Sequence, residues 1–245
     1  MLKWIRRIWI VAGLGFVVFL VWNTQARGVS PTVFRSTSAV RVIDSGALMQ
    51  FVPAQHARGA GLIFLPGGMI DPDAYAPFLR AVAESGYTAV LIRMPWRTAL
   101  TEAARKTLWS RIDGVSRNAQ PGRRWVLGGH SRGAALAATY AWEHGAQLAG
   151  LVLIGTTHPR VLDLSTSPIP IAKIYGTRDC VADSAKMMSN ARRLPVDTRW
   201  VRIEGANHRQ FGYYGYQLGD CSATISRAAQ HGLTTRAVTA FLKEQ

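Results

Sequence analysis

Acidic side chains are scarce in this chain, with 14 Asp and Glu against 29 Lys and Arg in 245 residues, for a formal net charge of +15. A balance this basic raises nucleic acid as a partner, but a basic stripe interleaved with aromatics is missing. The arginines are scattered, and pairs such as Arg123–Arg124 and Arg192–Arg193 are the longest basic runs in the folded part, so no nucleic-acid function is expected. The charge suits an anionic membrane surface or acidic envelope polymers instead. Clusters of His, Cys and carboxylate at ligand spacing are also missing, so no metal and no cofactor is expected. There is no internal repeat and no low-complexity segment. A charged content of 18% beside a hydrophobic content of 48% is that of a globular protein, and the length suffices for one α/β domain with a full core.

One long apolar run is present, Ile8 to Trp22, preceded by Lys3, Arg6 and Arg7, with Trp4, Trp9 and Trp22 where interfacial aromatics sit. Its length falls between a signal-peptide core and a short membrane span. Residues 1–28 are read as an uncleaved signal anchor, with cleavage after Ala26 as the alternative, and no cysteine lies there for a lipid anchor. The positive flank stays in the cytoplasm, which places everything after Asn23 on the extracytoplasmic, periplasmic side of a single-pass membrane protein, or secretes it if cleavage occurs. Residues 29–39 read as a polar linker, and 40–245 as the α/β domain.

Within that domain, Val40–Ile43 and Leu48–Val52 flank the turn Asp44-Ser45-Gly46 as an antiparallel hairpin. Gly61–Leu65 is a continuous apolar run typical of a central parallel strand. Helices are expected over Asp73–Ser85, Thr101–Ser116, Ser184–Arg193 and Thr224–Leu242, alternating with strands at Thr88–Ile92, Trp125–Leu127, Leu148–Ile154, Ile171–Tyr175 and Thr198–Ile203. That alternation specifies a doubly wound, mostly parallel sheet with helices on both faces. The stretch Gly155–Pro170 is too short for a cap domain.

The chemistry concentrates at Gly129-His130-Ser131-Arg132-Gly133, a G-x-S-x-G between an apolar strand and an alanine-rich helix. A serine on so sharp a turn needs neighbours without side chains, and the helix N-terminus behind it points unpaired N–H groups at any oxyanion formed there. Ser131 is thus the expected nucleophile on a nucleophile elbow. It needs a base and an orienting carboxylate, which for a strand–elbow–helix follow in the order Asp then His, each after a strand. Asp179 follows Ile171–Tyr175 by way of Gly176, and His208 follows Thr198–Ile203 by way of Gly205. Among rivals, Asp183 suits a helix cap and Asp163 lies at the wrong sheet edge. His130 is inside the elbow, His144 and His231 fall on or beside helices, and His56 and His158 occupy loops that fit less well. The oxyanion donors expected are the backbone N–H of Arg132 and that of Gly68 in the Pro66-Gly67-Gly68 loop.

The elbow, the P-G-G loop, Gly176-Thr177-Arg178-Asp179 and Gly205-Ala206-Asn207-His208 together resemble the α/β-hydrolase superfamily. Within it the chain is similar to a small, lidless bacterial branch related to dienelactone hydrolases, which shares a G-G-H-S elbow and a G-x-N-H-x-Q-F-G segment, here Gly205 to Gly212. The likeness covers about residues 40–244. It implies the α/β-hydrolase fold and a serine hydrolase acting on carboxylic esters or related acyl compounds. Dienelactone hydrolases use a cysteine nucleophile where Ser131 stands, so their substrate does not carry over.

Cys180 adjoins the expected acid and Cys221 follows the expected base; in an exported protein they are expected to pair, closing a loop of about 40 residues. Met69, Trp96 and Tyr213 are expected to touch substrate, and the Tyr- and Gly-rich segment 213–220 either covers the mouth of the site or packs on the last helix. The function expected is a Ser131-His208-Asp179 esterase of a small-molecule acyl substrate. Acyl transfer or thioester or lactone cleavage on the same triad, and a catalytically idle envelope-binding module, are the alternatives.

Overall fold

A computed structural model describes residues 2–55, 57–117 and 123–245; His56, weighed above as a loop histidine, lies outside the described residues. The chain begins with helix α1 (Leu2–Thr24), then continues β1 (Val40–Asp44), β2 (Leu48–Pro53), β3 (Ala60–Leu65), α2 (Ala76–Glu84), β4 (Thr88–Ile92) and α3 (Glu102–Arg117). The second half runs β5 (Arg124–His130), α4 (Arg132–His144), β6 (Gly150–Ile154), β7 (Ile171–Gly176), α5 (Ser184–Ser189), β8 (Arg199–Ile203) and α6 (Arg227–Lys243).

The eight strands form one sheet in the order β1-β2-β4-β3-β5-β6-β7-β8. β2 is antiparallel to both β1 and β4, and every other pairing is parallel. Because successive strand residues point to opposite faces, the wholly buried β3 feeds two cores. Leu62 and Phe64 join α2 and α6 on one face, while Ile63 and Leu65 join α3 and α4 on the other. With both faces covered, each parallel strand can end in a loop at the same edge, and that edge holds the site. Residues 155–170 hold no helix or strand, so no cap domain is inserted there.

Three helices differ in extent from the sequence reading. The first turn expected of α2 is a 3-10 turn over Pro72–Tyr75, capped by the Asp71 side chain accepting from the Asp73 N–H, and the α-helix starts at Ala76. α5 stops at Ser189, with a separate 3-10 turn over Ala191–Arg193. α6 starts at Arg227 because the Ser226 hydroxyl accepts from the Ala229 N–H as its cap.

α1 is long and apolar enough to cross a membrane, by length and composition. At 23 residues it spans about 34 Å, against about 30 Å of bilayer hydrocarbon, and its apolar side chains are exposed along its length. The segment read as a linker is docked rather than extended. Arg80 on α2 donates to the carbonyls of Val33 and Arg35 and to the Thr37 hydroxyl, at 2.8 to 3.1 Å. Val33 and Phe34 pack against the core.

Candidate active site

At the end of β5 the chain turns through Ser131, whose φ of 53° and ψ of −114° lie outside the regions a side-chain-bearing residue favours. The flanking glycines are needed for approach rather than flexibility. A Cβ on Gly129 would fall 2.5 Å from the Gly133 carbonyl carbon, and one on Gly133 would run into the Leu65 carbonyl. Ser131 is fixed from below by its N–H donating to the Ile154 carbonyl at 2.9 Å, and its side chain makes no cap bond to the helix it starts.

The loop after β7 carries Asp179 and the loop after β8 carries His208, both buried to within a few percent of their surface. His208 Nδ1 donates to Asp179 Oδ2 at 2.8 Å. The other carboxylate oxygen accepts from the N–H groups of Val181 and Ala182, at 3.0 and 2.7 Å. A neutral imidazole that donates from Nδ1 carries its lone pair on Nε2, and that nitrogen is buried without a hydrogen-bond partner among the described residues. Ser131 and His208 line one cavity of about 220 Å³, together with Arg132, Ala135, Gly155, Thr156, Thr157, His158, Arg160, Val181 and Ala182. A larger hollow of about 400 Å³ lies against β2 and the starts of β4 and β5, lined by Arg41, Gln50, Thr88 and Arg111 among others. It contains no Ser, Cys or His, so size is a poor guide to the chemistry here.

Gly68 and Arg132 approach each other across the mouth, with a Cβ on Gly68 falling 3.1 Å from Arg132 Cβ. Neither backbone N–H donates to another described residue, whereas the next one, that of Met69, is committed to the Arg97 carbonyl at 2.9 Å. The Arg132 side chain turns aside and donates from Nε to the Thr98 carbonyl.

Three expected substrate contacts do not line this cavity. Met69 is half exposed on a backbone with φ of 63°, and Trp96 is 87% exposed at the tip of its loop. Tyr213 packs edge-on to His231, with ring centroids 4.7 Å apart, and its N–H donates to the Ala74 carbonyl. The segment 213–220 does not close the mouth: Tyr214 pairs with Ala26, and the Asp220 carboxylate accepts from the N–H groups of His208 and Arg209. Burial, partly offset by those two bonds, raises the Asp220 carboxyl above its ordinary value. Cys180 and Cys221 are bonded, with Cα atoms 5.3 Å apart, which ties the Asp179 loop to the segment holding the His208 backbone.

Several supporting residues were not found from sequence. The Tyr75 hydroxyl accepts from the Gly67 N–H at 3.0 Å and is hydrogen-bonded to His130 Nδ1 at 2.7 Å, so one buried group joins the P-G-G loop to the elbow. Burial, and then the nearby His208 and His231 imidazoles, hold His130 well below its ordinary value and therefore neutral at pH 7. The His130 and His208 ring centroids lie 4.5 Å apart. Lys173, buried on β7, donates to the His158 carbonyl behind the cavity wall, and burial brings its ammonium down to about 7. His158 itself is held at about 4 by burial and by Arg160, Lys173 and Arg132. Among the described residues, no group of His, Cys and carboxylates is placed to hold a metal.

Comparison with known proteins places the fold and the family. A search of curated proteins finds no match. Solved structures superpose well at low identity. Est1E from Butyrivibrio proteoclasticus is 12% identical with a TM-score of 0.58, covering 84% of this chain and 98% of that one. A dienelactone hydrolase from Anabaena variabilis is 18% identical with a TM-score of 0.57, covering 80% and 94%. A membrane phospholipase A described as a novel bacterial virulence factor is 16% identical with a TM-score of 0.56 and covers 98% of both chains, a share that has to include most of α1. A model of an alpha/beta hydrolase family matches residues 61–232, and on that match the chain belongs to the alpha/beta hydrolase family and is an enzyme of hydrolase type.

Proposed function

We propose that the protein is a membrane-anchored serine esterase, with Ser131 as nucleophile, His208 as general base and acid, and Asp179 as the group that orients the imidazole. The observation that carries this reading is the 2.8 Å Asp179–His208 bond, with the opposite nitrogen buried and unpartnered among the described residues and with His208 and Ser131 lining one cavity. Ser131 Oγ and His208 Nε2 make no hydrogen bond here, so on this reading the two side chains must close to hydrogen-bond reach for the proton to pass.

On this reading the Ser131 hydroxyl attacks the acyl carbon and passes its proton to His208 Nε2. The N–H groups of Gly68 and Arg132 hold the oxyanion, and the imidazolium, stabilised by the Asp179 carboxylate, returns the proton to the departing alcohol. Water then attacks the acyl-enzyme with His208 again as base, so each ester and water give one acid and one alcohol. The dienelactone hydrolase and the membrane phospholipase A among the superposed structures support ester chemistry, and the second also supports a membrane setting for it. The uncovered apolar surface of α1 supports insertion in a bilayer.

The test is a panel of p-nitrophenyl esters of increasing acyl length. Wild type is expected to cleave them, and Ser131→Ala to lower kcat/KM by about 10⁴-fold or more. Adding alcohols separates hydrolysis from acyl transfer by the partition of products. Equal rates for wild type and Ser131→Ala contradict the assignment.

A further inference from the structure

We propose that the catalytic edge of the sheet rests on the bilayer that α1 enters, so that the enzyme draws the acyl ester of a membrane lipid from the leaflet rather than a soluble ester from solution. This rests on the esterase reading for its chemistry and on the docking of α1 for its geometry.

The end of α1 runs without a spacer into hydrogen bonds with the two loops that carry Gly68 and His208. The Thr24 carbonyl accepts from the Asp71 N–H at 2.8 Å, three residues after Gly68. The Asn23 carbonyl accepts from the Gly215 N–H and its side-chain oxygen from the Tyr216 N–H, both at 2.8 Å. Arg27 then donates from its N–H to the Tyr213 carbonyl at 2.7 Å. Asn23 is buried at the end of a helix whose residues 3–22 are exposed, and a Cβ on Gly215 would fall 2.5 Å from its side-chain oxygen. A helix held this way cannot let the domain swing freely, so the surface α1 enters lies against the strand C-termini.

That edge is dressed for such a surface. Met69, Trp96, Leu100, Tyr216 and Leu218, on the loops after β3, β4 and β8, are all half exposed or more, Leu100 at 74%. Isolated exposed apolar residues are ordinary, but a set on the loops around one site, beside an uncovered apolar helix, marks an interaction surface. The Arg27 guanidinium, stacked 4.7 Å from the Trp22 ring at the helix end, is the aromatic and cationic pair that suits the headgroup level. At the opposite edge Trp142 and Val196 are exposed, while the hydrogen bonds of the α1 end go to the loops after β3 and β8. The occupant that fits the catalytic edge is therefore the leaflet around α1. Water would split a lipid acyl ester into a fatty acid and the lipid's alcohol.

The experiment uses the full chain in phosphatidylcholine–phosphatidylglycerol vesicles. Because Cys180 and Cys221 are bonded, Leu100→Cys or Val196→Cys offers a single free thiol for an environment-sensitive fluorophore. The label at 100 is expected to shift to the blue and to be quenched by lipid-borne nitroxides, while that at 196 stays in water. In parallel, Leu100→Ser with Leu218→Ser is expected to lower the ratio of vesicle-lipid to soluble-ester turnover by about tenfold, the size expected from losing two partly inserted side chains. Equal, water-like labels at 100 and 196 with soluble-ester activity intact overturn this inference alone. No turnover of any ester by wild type overturns the esterase reading, and the labels still report which edge meets the lipid.

Discussion

The half of the site built on the loops after β7 and β8 is held by polar bonds and a covalent one, whereas the half built after β3 and β5 is held by backbone contact. Asp179 and His208 sit in a net of the 2.8 Å pair, two N–H donors to the free carboxylate oxygen, Asp220 on the His208 backbone and the Cys180–Cys221 bond. A further bond pair, Asn207 N–H to Gln230 Oε1 and Gln230 Nε2 to the Asn207 carbonyl, fixes the turn before His208 from α6. On the other half, Ser131 is placed by glycines that leave no room for a Cβ, with the Tyr75 hydroxyl tying the P-G-G loop to the elbow. On the proposed reading the contrast follows from what each half has to do. An imidazole must be aimed and kept in one tautomer, which takes directional partners; an oxyanion pocket needs two N–H groups at short range, which takes bare backbone.

The largest loss is expected at the carboxylate. Asp179→Asn keeps the shape of the side chain but offers the His208 Nδ1 a poorer and ambiguous partner, so kcat on a soluble ester should fall by about 10³- to 10⁴-fold. KM should change little. A loss under tenfold would show that the polar net is not what aims the imidazole.

The other half should respond more mildly. Tyr75→Phe leaves the ring packed and removes one acceptor, orphaning the Gly67 N–H and His130 Nδ1, so kcat should drop by about tenfold through a displaced P-G-G loop. KM should move less than kcat, and unfolding temperature should fall only modestly. A loss confined to stability, with kcat unchanged, would make Tyr75 a packing residue alone.

Lys173, behind the cavity wall, gives a purely energetic test. Burial holds its ammonium at about 7, while an unfolded lysine titrates near 10.4. Between those values the unfolded chain binds a proton that the folded chain does not, so stability gained from this group rises with pH across that window, by at most about 1.4 kcal/mol per unit. The full penalty of the buried charge is present below about pH 7. Lys173→Met should flatten urea-denaturation stability between pH 7 and 10 and raise it at pH 6; an unchanged slope would mean that the ammonium is solvated in the folded protein.

Much of this architecture was legible because its signals are local. The parallel strands are short apolar runs bounded by glycine and proline, the elbow is five consecutive residues, and Asp179 and His208 each stand a fixed few residues past a strand. The supporting contacts were hidden because they join distant residues through side-chain direction. Tyr75 and His130 lie 55 positions apart, and Asn23 and Tyr216 lie 193 apart. Lys173 lies among apolar strand neighbours, and only the sheet's closed face shows that its head group is buried. Trp96 and Met69 follow strands at the right edge, which in sequence points them to the cavity. A loop's position is readable in that way; the direction its side chains take is not, and here both point outward.

The most direct measurement of the central claim is covalent capture. The full-length protein in detergent is treated with a fluorophosphonate probe, digested, and the adduct mapped by mass spectrometry. One adduct is expected, on Ser131, abolished in Ser131→Ala and much slowed in His208→Ala. An adduct on another residue, or labelling that survives Ser131→Ala, would contradict it.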